Sequence, residues 1–350
     1  SLAYHMSFFN KSIILIDKYN IGSGSTCLSA GTIYSSYYKL PSIENVNSND
    51  FIKSYLSIGT IDIIKSIDKK MSCDLNQIGS ITLSSKRTID YLTNKLNEGK
   101  EKGQILEMNN LGLSAPYSAY VDPCKTVHVF SELSKKNGVK ILDNTFIEKL
   151  YYKDGNYIIK LNNSKRYICK NLILTNGIGI NQVTHMLGIN VPIIPVKGII
   201  WNIQVESNDI IKNIIYSSNS AYTWNKYPTL DLINSIPNNC THNSKGNVIN
   251  HNYISINRFI ESIFYKNDLE YEHFYGKPYT DENGKLNIMF GFNRQVALNE
   301  NDYDIEEKEV KKFFNKIKGI FPLIKNDKPD NYWSGLMPFS IYNTPIVGNF

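Results

Sequence analysis

The sequence predicts an α/β protein, α+β overall, in which a parallel-sheet domain is joined to a second domain with a mostly antiparallel sheet. A helical stretch at 1–9 leads into an apolar run at 12–17, which ends in an acid and a glycine-rich loop. Later runs at 199–205 and 286–292 alternate apolar and polar residues, as half-buried antiparallel strands do. Together these patterns predict two layered domains in one chain.

The apolar run at 12–17 contains four consecutive apolar residues, three of them β-branched, which favours a buried parallel strand. A later helix has clear end signals: Asp122 is a typical N-cap, Pro123 fits the first turn, and Gly138 follows the last turn. A strand at 139–142 follows at once. A helix leading directly into a strand is half of a βαβ unit.

Three further elements are predicted along the chain. Asp154-Gly155 is a pair that closes tight hairpins, so 149–161 is predicted to be a hairpin. The run 171–179 ends in glycines and is predicted to be a buried strand that reaches the ligand edge of the sheet. A charged helix is predicted at 306–319.

The domains are predicted to be discontinuous in sequence. The first takes 1–35, 120–195 and 331–350, and the second takes 36–119 and 196–330, with an Asn-rich insertion near 207–283.

Composition excludes several classes of function. The net charge of +6 comes almost wholly from scattered lysines, so no nucleic-acid surface is predicted, and no apolar run is long enough to span a membrane. The five cysteines form no C-x-x-C pair and the six histidines show no ligand spacing, so no metal site is predicted. The cysteines are expected to be free thiols in an intracellular reducing compartment or a mitochondrion.

The loop at 21–31 consists almost entirely of small residues, with no bulky side chain between Ile21 and Leu28. Small residues allow backbone amides to approach a ligand closely, and hydroxyls add hydrogen-bond donors. The loop therefore suits a pyrophosphate and a flat ring system. A flexible Gly/Ser turn is the alternative.

Four segments, in order, resemble the D-amino-acid oxidase family of FAD-dependent oxidoreductases, which includes glycine and sarcosine oxidising enzymes and D-amino-acid dehydrogenase. They are 13–31, 120–150, 171–198 and 333–348. The resemblance implies a Rossmann-like FAD-binding domain. The glycine-rich turn expected before the first helix and the segment expected after 348 do not occur, so we expect the chain to be cut at both ends.

The resemblance also implies which residues contact FAD. Asp17 falls where the family has the acid that binds the adenosine ribose. An acid suits this role because a carboxylate accepts two hydroxyl hydrogen bonds side by side. Cys27 lies in the glycine-rich loop, and a small buried thiol is expected there rather than a covalent flavin link. The full set of predicted cofactor contacts is Asp17, Lys18, Ser23, Ser25, Thr26, Ser29, Ala30, Gly31, Ile147, Thr175, Asn176 and Gly177.

The segment beginning at Trp333 resembles the family stretch beside the flavin, with one important difference. Relatives that handle amino acids often anchor the substrate carboxylate with an Arg, and here Met337 stands at that position. A thioether cannot replace a bidentate guanidinium. Arg294 is the first candidate for another anchor and Arg258 the second; a surface arginine is the alternative for both.

The resemblance implies hydride transfer from a small amine, an (N-methyl) amino acid or a 2-hydroxy acid to FAD, with electrons passed to oxygen or another acceptor. A non-catalytic assembly or interaction protein with the same fold is the alternative, kept open by Met337. A nicotinamide-dependent dehydrogenase would fit Asp17 but not the loop or the Trp333 segment.

Overall fold

The computed structural model describes most of the chain. The described residues are 1–9, 11–34, 59–86, 88–101, 103–207, 210–218, 241–242, 248–249, 274–297, 299, 301–340 and 346.

The elements up to residue 142 alternate between short helices and strands. They are α1 (Leu2–Met6), a 3-10 turn (Ser7–Phe9), β1 (Ile14–Ile16), β2 (Thr32–Ile33), α2 (Thr60–Asp68), β3 (Ser80–Leu83), α3 (Ile89–Glu101), β4 (Glu107–Met108), β5 (Gly112–Ala115), β6 (Ala119–Tyr120), α4 (Pro123–Lys136) and β7 (Lys140–Leu142).

The elements after residue 142 are mostly strands. They are β8 (Ile147–Lys153), β9 (Asn156–Leu161), β10 (Arg166–Cys169), a 3-10 turn (Gly177–Gly179), α5 (Ile180–Thr184), a second 3-10 turn (His185–Leu187), β11 (Ile193–Gln204), β12 (Ile214–Ser217), β13 (Thr241–His242), β14 (Val248–Ile249), β15 (Phe274–Thr280), β16 (Leu286–Val296), α6 (Glu307–Ile320) and β17 (Asn331–Ser340).

An eight-stranded sheet dominates the structure, in the order β17-β11-β16-β15-β12-β3-β5-β4. Its pairs are antiparallel except for β12 with β3. The mixed fold class predicted from the sequence is therefore confirmed. Two of these strands, β12 and β15, lie inside the polar stretch 207–283 and were not predicted; much of that stretch lies outside the described residues.

One face of this sheet packs on helix α6. Trp201 and Phe290 are fully buried there, against Phe313 and Phe314 of the helix. The rings of Phe313 and Phe292 stack with centroids 3.9 Å apart. Because side chains alternate along a strand, this packing directs the intervening residues of β11, β15 and β16 to the opposite face.

The start of the chain forms the predicted helix and parallel strand. Strand β1 pairs with β7 in parallel, and Asp122 caps α4 by accepting a hydrogen bond from the backbone N–H of Lys125 at 2.8 Å. The hairpin turns at Asp154 and Gly155, whose φ values of 50° and 75° both lie in the left-handed region. These three predictions are confirmed.

Two details of the prediction are wrong. Strand β1 is not buried: Ile14 is 38% exposed, because β7 is its one strand neighbour among the described residues. Residues 171–176 form no strand, and Ile173 is 51% exposed, because no described neighbouring strand provides a ladder of hydrogen bonds.

The expectation of free thiols is also wrong for two cysteines, because Cys27 and Cys124 form a disulfide. They lie 97 residues apart in sequence, but their Cα atoms are 4.7 Å apart where the glycine-rich loop folds over the first turn of α4. The spacing of the cysteines in the sequence does not indicate that Cys27 and Cys124 lie close together. Cys73 and Cys169 are free, whereas Cys240 lies outside the described residues.

No helix in the described part of the chain is both long and apolar enough to cross a membrane.

Removing the ring of Phe313 should destabilise the sheet–helix core. We expect Phe313→Ala to lower the free energy of unfolding by about 3–5 kcal/mol, because a buried Phe-to-Ala change creates a cavity. Urea denaturation would measure the loss. Ile320→Ala, at the exposed end of the same helix, is the control and should change stability by about 0.5 kcal/mol or less. Equal losses in the two variants would contradict the packing described here.

The disulfide should be detectable by alkylation before and after reduction. We expect Cys27 and Cys124 to resist alkylation until reductant is added, and reduction to cost roughly 2–4 kcal/mol of stability because a long loop is released. A Cys27→Ser/Cys124→Ser variant should be insensitive to reductant, whereas Cys169→Ser should respond as the parent protein does. Alkylation of Cys27 without reductant would rule the bond out.

Candidate functional site

The face of the large sheet that turns away from α6 carries a row of large side chains. Strand register places Tyr216 opposite Tyr275, and Tyr275 lies in the same row as Trp333 through Gly291 and Ile200. Lys277 and Met337 also lie on this face, but on opposite sides of that row: Lys277 is level with Asn202 and Asn331, whereas Met337 pairs with Val196. We call this surface the open face.

Tyr275 is held flat across the open face by a glycine on the neighbouring strand. A Cβ at Gly291 would lie 2.0 Å from Cζ of Tyr275. Only a glycine leaves room for the ring at this cross-strand position, so the pair fixes where the phenol lies.

The glycine-rich loop is held against α4 and β6. Gly22 and Gly31 have φ values of 83° and 66°, and a Cβ at Gly31 would lie 2.3 Å from the carbonyl oxygen of Val121. The Val121 N–H in turn donates to the Gly31 carbonyl at 3.0 Å. With the Cys27–Cys124 disulfide, these contacts hold the middle and the end of the loop to the chain around 121–124.

The same loop contacts the edge of the large sheet. The indole N–H of Trp333 donates to the carbonyl oxygen of Leu28 at 3.1 Å, and Gly335 lies directly under Leu28. Beyond the loop, Thr32 pairs with Tyr120 in the β2–β6 ribbon. The loop and the open face therefore meet along one edge.

The β2–β6 ribbon also reaches the tyrosines of the open face. The Tyr216 hydroxyl hydrogen-bonds the Thr32 side chain, and the Tyr34 ring lies edge-on to Tyr216 with centroids 6.0 Å apart. Burial raises the pKa of Tyr216, although the Thr32 hydrogen bond opposes the shift. Tyr216 is therefore a neutral hydroxyl at physiological pH.

Asp17 lies directly after β1, at the carboxyl end of the strand. One of its carboxylate oxygens accepts the Tyr19 N–H at 3.1 Å, and its backbone N–H donates to Leu142. Burial raises the pKa of this carboxyl, the hydrogen bond from Tyr19 lowers it, and the charge of Asp143 raises it further. Lys18 contacts Gln182 at 3.5 Å and lies over the Tyr19 ring.

The hydroxyls of the loop are partly engaged in its own turns. Ser23 donates to the Asn20 carbonyl and Ser29 to the Thr26 carbonyl, both at 2.8 Å. Ser25 is half-buried, and Ala30 is buried. What this loop offers a ligand is therefore chiefly its backbone.

The remaining predicted cofactor contacts lie on nearby segments. Ile147 begins β8 and packs in the cluster beneath β1 and β7. Thr175 and Asn176 are exposed. Gly177 has a φ of 59°, and a Cβ at this position would lie 3.9 Å from Cγ of Pro338. The structure thus brings the 175–177 loop beside the strand that carries Met337.

The two predicted substrate contacts are placed differently. Met337 is half-buried on the open face, opposite Val196. Arg294 lies on β16 where the register with β11 shifts between Lys197 and Ile199, and its side chain lies outside the described residues. Arg258 is outside them as well. No group of His, Cys, Asp and Glu in the described ranges could hold a metal ion.

Sequence analysis did not single out Tyr216, Tyr275 or Lys277. Their strands lie in the polar stretch 207–283, where asparagine-rich composition hides two short alternating runs. The run Phe274–Thr280 does carry the signal, because Phe274, Gly276 and Pro278, all buried, alternate with Tyr275, Lys277 and Tyr279.

A family model described as FAD dependent oxidoreductase (DAO) matches residues 1–229. No curated protein sequence matches the chain.

Solved structures share the fold at low sequence identity. Glycine oxidase from Geobacillus kaustophilus superposes with a TM-score of 0.70 at 11% identity, covering 99% of this chain and 82% of its own. L-proline dehydrogenase from P. horikoshii gives 0.64 at 15% identity, covering 96% and 77%. L-α-glycerophosphate oxidase from Mycoplasma pneumoniae, solved with FAD bound, gives 0.66 at 12% identity, covering 96% and 79%.

At such identities these likenesses establish the fold, and the family match establishes membership because it spans well over half of the 350 residues. The chain belongs to the DAO family of FAD-dependent oxidoreductases.

Proposed function

We propose that this protein oxidises a small amine or amino acid at the carbon that bears the nitrogen, with FAD as the electron acceptor. The observation that supports this most is the meeting of the glycine-rich loop with the open face, which places a loop suited to a dinucleotide beside a row of aromatic side chains. Two of the three similar structures, glycine oxidase and L-proline dehydrogenase, are named for amino acids.

The residues at the end of β1 and in the loop fit a dinucleotide. The Asp17 carboxylate would accept the ribose hydroxyls, as acids in this position do in nucleotide-binding folds. Gly22 and Gly31 allow the positive-φ turns that pack the loop against Val127 and Val121, and the loop backbone would bind the pyrophosphate. Lys18, Ser23, Ser25, Thr26, Ser29, Ala30, Ile147, Thr175, Asn176 and Gly177 are the other proposed contacts.

When bound, FAD supplies the acceptor for a hydride that leaves the substrate carbon. The substrate nitrogen loses a proton, so the organic product is an imine. This chain's own contribution is to position the substrate and exclude water, with Tyr216, Tyr275 and Trp333 as the walls of the pocket. The two electrons then pass to oxygen or another acceptor.

Oxidation of a 2-hydroxy acid is a second candidate for the same pocket. The favouring observation is the similarity to L-α-glycerophosphate oxidase, whose name describes an alcohol substrate. Met337 in place of the family's Arg keeps the non-catalytic alternative in view, because it removes one anchor for a carboxylate. One experiment distinguishes amine oxidation, alcohol oxidation and the non-catalytic alternative.

The protein purified from its complete reading frame should show the visible bands of oxidised flavin. We expect these bands to bleach when amines or amino acids are added without oxygen, because substrate oxidation delivers two electrons to the flavin. The panel should include glycine, sarcosine, L- and D-proline, glycolate and glycerol 3-phosphate.

The outcome decides between the candidates. Bleaching by glycolate or glycerol 3-phosphate alone would replace the amine proposal with alcohol oxidation. Bands that no compound bleaches would favour the non-catalytic alternative.

Asp17→Asn should weaken FAD binding roughly ten- to hundredfold, because hydrogen bonds to a charged group contribute about 1.5–3 kcal/mol. Titration of the apoprotein with FAD, followed by flavin fluorescence, would measure the dissociation constant. Asp154→Asn, which removes a carboxylate from an exposed turn where Asn also tolerates positive φ, is the matched control.

The same measurement should depend on pH in a defined direction. Burial raises the pKa of Asp17, and hydroxyl donors favour its charged form, so FAD affinity should fall as pH drops toward that raised pKa. Asp17→Asn should lose this dependence. Equal affinities for the parent and the variant at every pH would remove Asp17 from the site.

A further inference from the structure

A buried lysine lies on the open face. Lys277 is in the middle of β15 and is 4% exposed. Its Nζ lies 4.4 Å from the centre of the Tyr120 ring and 5.9 Å from that of Tyr279. Tyr120 pairs with Thr32, directly after the glycine-rich loop, so the ammonium lies close to the proposed cofactor loop.

Among the described residues, the ammonium of Lys277 has no ion-pair partner. Within the part of the chain that the structure describes, no carboxylate or other hydrogen-bond acceptor contacts its Nζ, and the rings of Tyr120 and Tyr279 lie beside it. Lys197, the second lysine that is buried among the described residues, is by contrast paired: its Nζ contacts Asp302 at 2.9 Å and the Asp304 carbonyl at 2.7 Å. Lys277 therefore lacks the partner that a purely structural buried lysine has.

The nitrogen of Lys277 is not sealed in the core. The fully enclosed side-chain polar atoms without a partner, among the residues described, are Trp201 Nε1 and Asn202 Oδ1. The Nζ of Lys277 is not among them, so it keeps an open side. Burying a cation without a partner is costly, and a ligand that brings a negative charge removes that cost.

The charge on this face fits a monoanion. The tyrosines beside the Lys277 ammonium are neutral, because burial raises the pKa of both Tyr120 and Tyr279. One ammonium matches one carboxylate, whereas a doubly charged phosphate ester would retain excess charge. Tyrosine hydroxyls would supply additional donors.

We propose that the Lys277 ammonium binds the carboxylate of the substrate and so selects amino acids over neutral amines. The proposal rests on the proposed function and names the substrate class of the same pocket. Arg294 stays the sequence-based alternative for the same anchor, and the experiment below tests both residues.

The protonation of Lys277 gives the proposal a pH signature. Burial lowers the pKa of this ammonium to about 8, and the negative charge of Asp122 at the start of α4 opposes the shift. Carboxylate binding to the free enzyme should therefore be strong below pH 8 and weaken above it. Tyr120 and Tyr279 stay neutral across this range, since their pKa values are raised rather than lowered.

The experiment measures binding separately from catalysis. The FAD-loaded full-length protein is titrated with benzoate, glycine and L-proline, and binding is read from the change in the visible flavin spectrum between pH 6 and 9.5. Benzamide is the neutral probe and glycerol 3-phosphate the phosphate probe. The variants are Lys277→Met, Lys277→Arg, Arg294→Met and, as a matched control, Lys285→Met, an exposed lysine on the same hairpin.

We expect Lys277→Met to weaken carboxylate binding roughly ten- to hundredfold and to abolish the decline above pH 8. Lys277→Arg should keep most of the affinity and move the decline to higher pH. Lys285→Met should change neither, and benzamide should bind all variants equally. In turnover, Lys277→Met should raise KM for amino acids while kcat changes little.

Other results would overturn the proposal. These are carboxylate affinity unchanged in Lys277→Met, loss in Arg294→Met alone, Lys277-dependent binding of glycerol 3-phosphate but no carboxylate, or no carboxylate binding to the parent protein. If amino acids bleach the flavin equally in the parent and Lys277→Met, the proposed function stands and this inference fails. If benzoate binding depends on Lys277 while no substrate bleaches the flavin, Lys277 binds carboxylates as inferred and the proposed function fails.

Discussion

Because helix α6 packs on one face of the eight-stranded sheet, the side chains of β11, β15 and β16 are divided between a core and an open face. The alternation is strict along a strand, so burying Phe274, Phe290 and Trp201 places Tyr275, Lys277 and their neighbours on the other side. A residue cannot be moved between faces without a shift of register. The aromatic core therefore determines which groups the open face presents.

The glycine-rich loop gains its position from three directions. The disulfide and the Gly31–Val121 contacts hold it to the chain at 121–124, and the Trp333 hydrogen bond holds it to the sheet. A loop of small residues has few side-chain contacts of its own, so its conformation depends on these outside attachments. This arrangement lets the loop expose backbone while remaining in a defined place, which is what a binding site for a pyrophosphate needs.

Local signals in the sequence were enough to predict those elements whose structure depends on residues nearby in the chain. The cap at Asp122, the turn at Asp154-Gly155 and the alternating strands 199–205 and 286–292 follow from propensity and periodicity. The family resemblance was enough to indicate FAD and the mixed fold.

The sequence-based predictions that were wrong or missing all depend on contacts between residues that are remote in sequence. The run 171–176 has the apolar composition of a strand but no described neighbour, and the exposure of Ile14 has the same cause. The disulfide depends on how a loop folds over a helix 97 residues away. The open-face residues Tyr216, Tyr275 and Lys277 became visible as a group only when the sheet order placed their strands side by side.

The order of the strands also has a consequence for how this protein is made. Strand β11 lies between β16 and β17, and both of its partners come later in the chain. Until the ribosome has produced β16, both edges of this long apolar strand have no partner, and the second edge stays unpaired until β17 is made. Such edges are sites of non-native association, and non-local pairing of this kind slows folding. The nascent chain is therefore most at risk of aggregation in the interval between synthesis of β11 and of β17, and chaperone dependence should concentrate there.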